Sequence, residues 1–392
     1  MVWVGRMSQR VTKLVDLAYL CQSGKDQSLY QDRCAEAQAH MAREGLDYLF
    51  VAPSSDMQYL VGYAGHITER LTLFVLPAQG EPVMVLPAFE ADRMKPLAAF
   101  FSLRTWEETE DPYRVLEAVL GPHAGRSIGV GYSDQGWASF LLRFQASFPT
   151  ARFLPASQVV GPMRITKRPD EIEVLRAANC FNDAAFTEFV TLPMAGMTER
   201  QLYNRLADLM IKHGQDSVAF ANPYSGPNSG SPHHIPGDRV VQKGDVVLFD
   251  FGGRYKGYYS DTSRTVVVGH MSEEFEKVYN VVRGAQQAAI DVIRPDVPIG
   301  EVDMAARRYI TEAGYGPYFT HRVGHGVGLD EHEPPYLTGD NRQPLKVGMC
   351  FSVEPGIYLP GRWGVRIEDT VLVTEAGGER LSKCSREIQI VS

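Results

Sequence analysis

Between Gln27 and Glu44, Leu29, Cys34, Ala37 and Met41 recur at roughly helical spacing, which predicts a helix. The run Asp47-Tyr-Leu-Phe-Val51 that follows reads as a buried strand. Leu71–Leu76 and Pro82–Leu86 flank the turn signal Pro77-Ala-Gln-Gly80 and predict a hairpin. A helix over Asp111–Leu120, a strand over Ser127–Val130, a helix over Trp137–Phe148 and an apolar piece around Phe153 complete an alternating pattern. That alternation predicts an α/β domain over residues 1–161.

Pro and Gly bracket Gly161-Pro-Met-Arg-Ile-Thr-Lys-Arg-Pro169, which reads as a linker with the boundary near Pro162. The second domain is then 162–392. It opens with a helix from Asp170, whose acidic first turn (Asp170, Glu171, Glu173) precedes the apolar series Ile172, Leu175, Ala178 and Phe181. Thr198-Glu-Arg-Gln201 is a capping-box pattern opening a helix to His213. Two further helices, Glu273–Ile293 and Ile299–Ala313, alternate with strand hairpins, so the overall class is α/β followed by α+β. No 20–50-residue repeat is present, which excludes a solenoid.

Composition narrows the partners. A chain of 392 residues with 44% hydrophobic and 22% charged residues is an ordinary globular chain, long enough for two domains. Its 39 basic and 47 acidic side chains give a net charge of −8, which offers no footprint for nucleic acid or anionic lipid. No apolar run approaches the roughly 18–20 residues that span a bilayer. Five scattered cysteines (Cys21, Cys34, Cys180, Cys350, Cys384) with no Cys-x-x-Cys pair read as reduced thiols and point to the cytoplasm. Arg6, Arg10 and Lys13 precede an apolar stretch that Asp16 interrupts, so no signal peptide is expected, and Met7 is a second candidate start.

Carboxylates at apolar strand ends carry the chemistry. Asp250 closes Asp245-Val-Val-Leu-Phe-Asp250 before a glycine pair, and Asp261 stands at the mouth of a second strand, Thr265–Val268. With Arg254-Tyr-Lys-Gly257 as the turn, pairing of these strands would bring both aspartates together, although each Asp alone reads equally well as a turn residue. His325 lies among glycines in His321-Arg-Val-Gly-His-Gly-Val-Gly328, where the backbone has room to crowd a ligand. No P-loop or dinucleotide fingerprint accompanies it. Glu354 and Glu368 each interrupt an apolar strand, where a carboxylate needs compensation. Two Asp, two Glu and one His form a hard, oxygen-rich donor set that suits two divalent cations about 3.5–4 Å apart, sharing a water or hydroxide as nucleophile.

These five residues with their flanks resemble the pita-bread metallopeptidase family of methionine aminopeptidase, aminopeptidase P and prolidase, from about Pro162 to the end. The resemblance implies that Asp250, Asp261, His325, Glu354 and Glu368 are the metal ligands, with Glu354 also the general base and acid. None of the five is substituted, whereas creatinase and non-catalytic relatives keep the fold and lose most ligands. The resemblance assigns His233 in Pro232-His-His234 to substrate contact or proton transfer, and His332 in Leu329-Asp-Glu-His-Glu-Pro334 to the oxyanion. His321, Arg366 and Tyr358 match pocket residues, and Arg366 reads alternatively as an anchor for Glu368 or Asp369. The N-terminal α/β domain and the junction at residues 163–173 are similar to those of prolidases and aminopeptidases P, which pair as dimers.

The resemblance therefore implies a cytoplasmic homodimeric hydrolase with Mn²⁺, or else Co²⁺ or Zn²⁺, acting on Xaa-Pro bonds of dipeptides through a metal-bridging hydroxide. Tyr336 departs from the Arg found there in some archaeal prolidases, while the compact length favours a dipeptidase. The alternatives are aminopeptidase P action on longer peptides, hydrolysis of a small-molecule amide, and a non-enzymatic peptide-binding module, which predicts decay of the ligand set.

Overall fold

The computed structural model describes residues 24–121 and 127–392. Arg6, Met7, Arg10, Lys13, Asp16 and Cys21 lie outside the described residues. The chain divides between Met163 and Arg164 into two compact units.

The first unit is built on a six-stranded sheet in the order Ser102–Trp106, Val83–Pro87, Leu73–Pro77, Tyr48–Val51, Gly129–Tyr132, Arg152–Pro155. The expected hairpin pairs antiparallel with Leu73 opposite Val85. Tyr48–Val51 joins that hairpin antiparallel on one side and Gly129–Tyr132 parallel on the other. Helices Gly24–Glu44, Pro112–Leu120 and Ala138–Ser147 accompany the sheet. Asp111 caps the second by accepting from the Tyr113 N–H, and Pro112 supplies a helical φ at the first position. The helix Ser55–Val61 and the strand Ser102–Trp106 were not foreseen. The former is only 7 residues long, and the latter carries exposed Arg104 where a buried strand would carry an apolar residue.

The expected linker over Gly161–Pro169 is corrected by the structure. Ser157–Ile165 is a helix with Pro162 inside it, because buried Val159, Val160 and Met163 hold the turns that proline disfavours. Thr166 then forms a bridge with Met349, and the Lys167 N–H donates to the Gly348 carbonyl. Pro169 opens the helix Pro169–Phe189.

The second unit has two sheets. One runs Gln389–Val391, Thr262–Val268, Val246–Tyr255, Ser217–Ser225, with Tyr258–Tyr259 pairing beside Val246–Tyr255. The other runs Glu333–Tyr336, His325–Gly326, Cys350–Val353, Asp369–Thr374, Gly377–Arg380, and the ribbon Gly356–Leu359 with Trp363–Arg366 stands apart. Helices Pro169–Phe189 and Glu199–His213 cover the first sheet, where Phe186 packs on Phe249 and Phe251. Strand alternation puts Val247, Phe249 and Phe251 in that core and turns Leu248 and Asp250 to the other face, where Leu248 meets Tyr224 and Tyr358. Helices Glu273–Asp291 and Gly300–Glu312 share a second core with Phe351 and Val365. Among the described residues no helix is long and apolar enough to cross a membrane.

A buried ion cluster fixes the loop before strand Glu333–Tyr336. Lys167 Nζ lies 2.6 Å from Glu333 Oε1, and Arg164 Nη2 lies 2.5 Å from Glu333 Oε2 and 2.8 Å from Asp330 Oδ2. Only 1% of the Lys167 side chain is exposed, so removal of its charge strands Glu333. Burial pushes the Glu333 carboxyl up, but Lys167 and Arg164 outweigh it and hold it below its usual range. A folded pKa below the unfolded one stabilises the fold above the usual Glu range, and that contribution disappears as pH falls through the folded value. Lys167→Met is expected to cost about 3–5 kcal/mol at neutral pH in denaturant unfolding. The gap to wild type should narrow below about pH 4, as Glu333 protonates. A loss below about 1 kcal/mol, or one independent of pH, would show that the cluster contributes nothing.

Candidate metal centre and substrate cavity

Strand register assembles the site. Ser263 pairs with Asp250 across the first sheet and bridges to Glu368 from the second. Its hydroxyl lies 3.2 Å from Asp250 Oδ1 and 2.6 Å from Glu368 Oε2. Asp261 immediately precedes the same strand and is 4% exposed. No hydrogen bond from a described residue reaches its carboxylate, and the nearest nitrogen is His325 Nε2 at 3.6 Å. Asp261, His325 and Glu368 each offer a donor atom within 4.8 Å of the others. Glu354 joins them with Oε1 3.3 Å from His325 Nε2. The sequence-predicted set of Asp250, Asp261, His325, Glu354 and Glu368 thus lines one cavity of about 1000 Å³.

The glycines around His325 serve a different purpose from the one expected. A Cβ on Gly324 would come 1.9 Å from the Ser352 carbonyl oxygen, and one on Gly326 would come 2.4 Å from that of Pro334. They crowd the neighbouring strands, which lets His325 sit in a narrow, bulged strand between them. His325 Nδ1 lies 3.1 Å from the Gly326 carbonyl, which directs Nε2 toward the carboxylates.

The electrostatics favour a cation. Burial, then repulsion from Glu368, Asp250 and Glu354, pushes the Asp261 carboxyl well up. Burial and the charges of Glu354 and Asp250 do the same to Glu368. Burial also raises Glu354, but its hydrogen bond to His325 and the charges of His325, His321 and Arg366 bring it down to about 2. Asp261 and Glu368, unlike Glu354, are therefore the carboxylates whose ionisation an entering positive charge favours. The donor chemistry fits a divalent ion: carboxylate oxygens, one imidazole nitrogen and a carboxylate at Asp261 without a donor.

Arg366 is 2% exposed, and its anchoring role includes Glu368 but falls chiefly on Asp250. It holds Asp250, with Nη2 2.6 Å from Oδ2, and stands 3.9 Å from Glu368. Asp369 is held instead by Arg264 and Arg380, each at 2.6 Å. The remaining Arg366 donors reach Ser263 Oγ, the Pro232 carbonyl and Tyr358 OH. Tyr358 OH lies 2.9 Å from His321 Nε2, and His321 Nδ1 lies 2.7 Å from the Arg322 carbonyl. With burial lowering its basicity, His321 is neutral, donates from Nδ1 and accepts from Tyr358. Both of its nitrogens are engaged, so as arranged it forms a wall and orients Tyr358.

His332 and His233 are exposed and line the same cavity. The His332 ring stacks on His325 at 3.7 Å between centroids. Desolvation and the neighbouring His325 lower its pKa to about 4, so it enters neutral solution uncharged with one N–H to donate.

Sequence reasoning missed the buried anchors that hold these loops. Glu199 accepts from Ser225 N, Ser225 Oγ, Asn228 and Gly237 N, and so fixes the loop carrying His233. Asp303 accepts from the Val323 N–H, while Arg307 donates to the carbonyls of Phe319 and His321. Glu199 and Asp303 stand in first helical turns, where an acidic residue reads simply as a partner of the helix dipole. Only Asp303, between Val302 and Met304, has an apolar flank on both sides as a signal.

Residues 33–166 match the creatinase/prolidase N-terminal domain and residues 173–375 match metallopeptidase family M24. The Mycobacterium tuberculosis protein named "Probable dipeptidase PepE" is 39% identical over 370 residues, covering 93% of this chain and 98% of that protein. The Xaa-Pro dipeptidase of Lactobacillus delbrueckii subsp. lactis is 32% identical over 355 residues, covering 90% and 96%. The crystal structure of a prolidase from Thermococcus sibiricus superposes with a TM-score of 0.88 at 37% identity, over 92% of this chain and 99% of that one. Two family matches and near full-length relatives leave one assignment: the chain is a hydrolase of metallopeptidase family M24, a creatinase/prolidase N-terminal domain followed by a pita-bread domain.

Proposed function

We propose that the chain hydrolyses Xaa-Pro dipeptides with two divalent cations held by Asp250, Asp261, His325, Glu354 and Glu368. The observation that carries this reading is the charge balance around His325. Five carboxylates (Asp250, Asp261, Glu331, Glu354 and Glu368) and two guanidinium groups (Arg322 and Arg366) line the cavity, so with all of them ionised 5 − 2 leaves three negative charges, more than one divalent ion neutralises. Relatives named as dipeptidases support the substrate class. The finer parts of the proposal are Mn²⁺ as the metal, a homodimer and a cytoplasmic setting.

Bound there, divalent ions supply the charge that polarises a carbonyl and acidifies water. The protein's own groups do the rest. Glu354, half-buried beside His325, takes the proton of the attacking water and delivers it to the proline nitrogen as the bond breaks. That nitrogen carries no N–H in the substrate, so proton delivery creates the leaving amine. Neutral His332 donates to the carbonyl oxygen as charge develops on it. Arg366 keeps Asp250 and Tyr358 in place, and His321 keeps Tyr358 oriented. His233, on the open side of the cavity, contacts the substrate.

With Mn²⁺ added, Ala-Pro should be cleaved in preference to Ala-Pro-Ala, Ala-Ala should remain intact, and EDTA should abolish turnover. Preference for the tripeptide would make the enzyme an aminopeptidase P. Cleavage of neither peptide with metal bound would shift the substrate to a non-peptide amide. Asp261→Asn should lower the metal content measured after dialysis and eliminate turnover; normal metal and full activity would remove Asp261 from the ligand set. His332→Ala should reduce kcat by about 10²–10³ with metal retained. A change confined to KM would make His332 a binding residue.

A further inference from the structure

Two guanidinium groups line the cavity, those of Arg366 and Arg322. Every nitrogen of Arg366 is engaged, by Asp250, Ser263, the Pro232 carbonyl and Tyr358. Arg322 is the opposite case. Its guanidinium carbon lies 4.4 Å from the centre of the Tyr336 ring, and among the described residues no carboxylate pairs with it. A half-buried arginine without a counter-charge, facing a cavity, has its full fork of donors available to a ligand.

Its placement is fixed on every side. The preceding carbonyl, of His321, accepts from Arg307 Nη2 at 2.8 Å. The following N–H, of Val323, donates to Asp303 Oδ1 at 2.9 Å. Arg322's own carbonyl lies 2.7 Å from His321 Nδ1. The ring beneath it belongs to Tyr336, the register partner of His325 across the sheet, and the Tyr336 carbonyl accepts from Asn341. The stacked guanidinium therefore stands one cross-strand pair from the imidazole of the metal centre.

We propose that Arg322, braced on Tyr336, receives the free C-terminal carboxylate of a dipeptide substrate and sets the preference for dipeptides over longer peptides. This rests on the Xaa-Pro dipeptidase reading above. The planar fork matches a carboxylate with two parallel N–H donors, and stacking on the ring fixes the fork's plane without consuming those donors. In a dipeptide the carboxylate is one residue beyond the scissile carbonyl. A longer peptide carries a neutral amide there and presents no charge to Arg322.

The test compares Ala-Pro with Ala-Pro-amide, which lacks only the charge, as substrates and as competing ligands, in the Mn²⁺-loaded full chain. In Arg322→Gln the preference for Ala-Pro over the amide, read as the ratio of kcat/KM or of inhibition constants, should fall about 10–100-fold. The fall should lie in KM. Arg322→Lys, which keeps the charge and loses the fork, should show a smaller fall. Tyr336→Leu, which removes the platform and leaves Arg322, should lower the ratio about 2–5-fold and keeps the proposal testable should the arginine variants not fold. A ratio within threefold of wild type in both arginine variants, or an unchanged ratio in Tyr336→Leu where only that variant folds, would overturn the assignment. An enzyme that binds and cleaves neither compound in its wild-type form would overturn the dipeptidase reading itself, and the assignment with it.

Discussion

The site depends on negative charge left uncompensated at one point of the fold. Two adjacent residues show how deliberate that placement is. Asp369 is fully buried, yet Arg264, Arg380 and Gln286 donate to its two oxygens and hold its carboxyl below the usual range. Glu368, one residue earlier, is equally buried, but receives Ser263 alone and is pushed well above its range. Strand alternation turns the two to opposite faces. One face closes a structural ion network, and the other opens on a cavity where an incoming cation would balance the carboxylates.

Such a site demands rigid support, because donor groups that repel one another separate unless their backbones are fixed. The second unit meets this with buried acids one step removed from the cavity. Glu199 ties down the loop of His233, Asp303 the segment between His321 and His325, and Glu333 the turn after His332. Each accepts several N–H or cationic donors, so each is worth more as an organiser of loops than as an isolated ion pair. The loops thereby hold the precision usually reserved for strands.

What was legible in the sequence follows from the same physics. A carboxylate within an apolar strand is conspicuous, so Asp250, Glu354 and Glu368 stood out, and the Gly-rich surroundings marked His325. Helices with strong periodicity or explicit caps, such as Glu199–His213 with its Thr198/Gln201 box, were also readable. The helix through Pro162 was hidden because burial of Val159, Val160 and Met163 overrode a local breaker. Arg366 reads as a site residue and Glu368 is among its ion partners, but its tightest partner, Asp250, lies on another strand that sequence proximity does not point to. The anchoring roles of Glu199, Asp303 and Glu333 were hard to read because the loop and ion partners that define them lie 20 to 169 residues away.

The two cavity arginines divide the work in a way their shared chemistry conceals. Arg366 is buried, saturated with acceptors and permanently charged, so it offsets part of the carboxylate charge and has no donor left for a substrate. Arg322 lies at the wetter edge, where an aromatic ring constrains the plane of the guanidinium but accepts none of its hydrogen bonds. A lysine in either place would fail differently: at 366 it would have too few donors to bridge two strands, a tyrosine and a loop carbonyl, and at 322 it would offer a point charge without orientation. Catalytic charge and substrate recognition are thus separated by burial, with residues 322 and 325 on one segment carrying one group of each kind. That adjacency explains why both ends of this segment are tied to the helix Gly300–Glu312 through Asp303 and Arg307: a shift of the backbone there would displace the metal-facing imidazole and the substrate-facing guanidinium together.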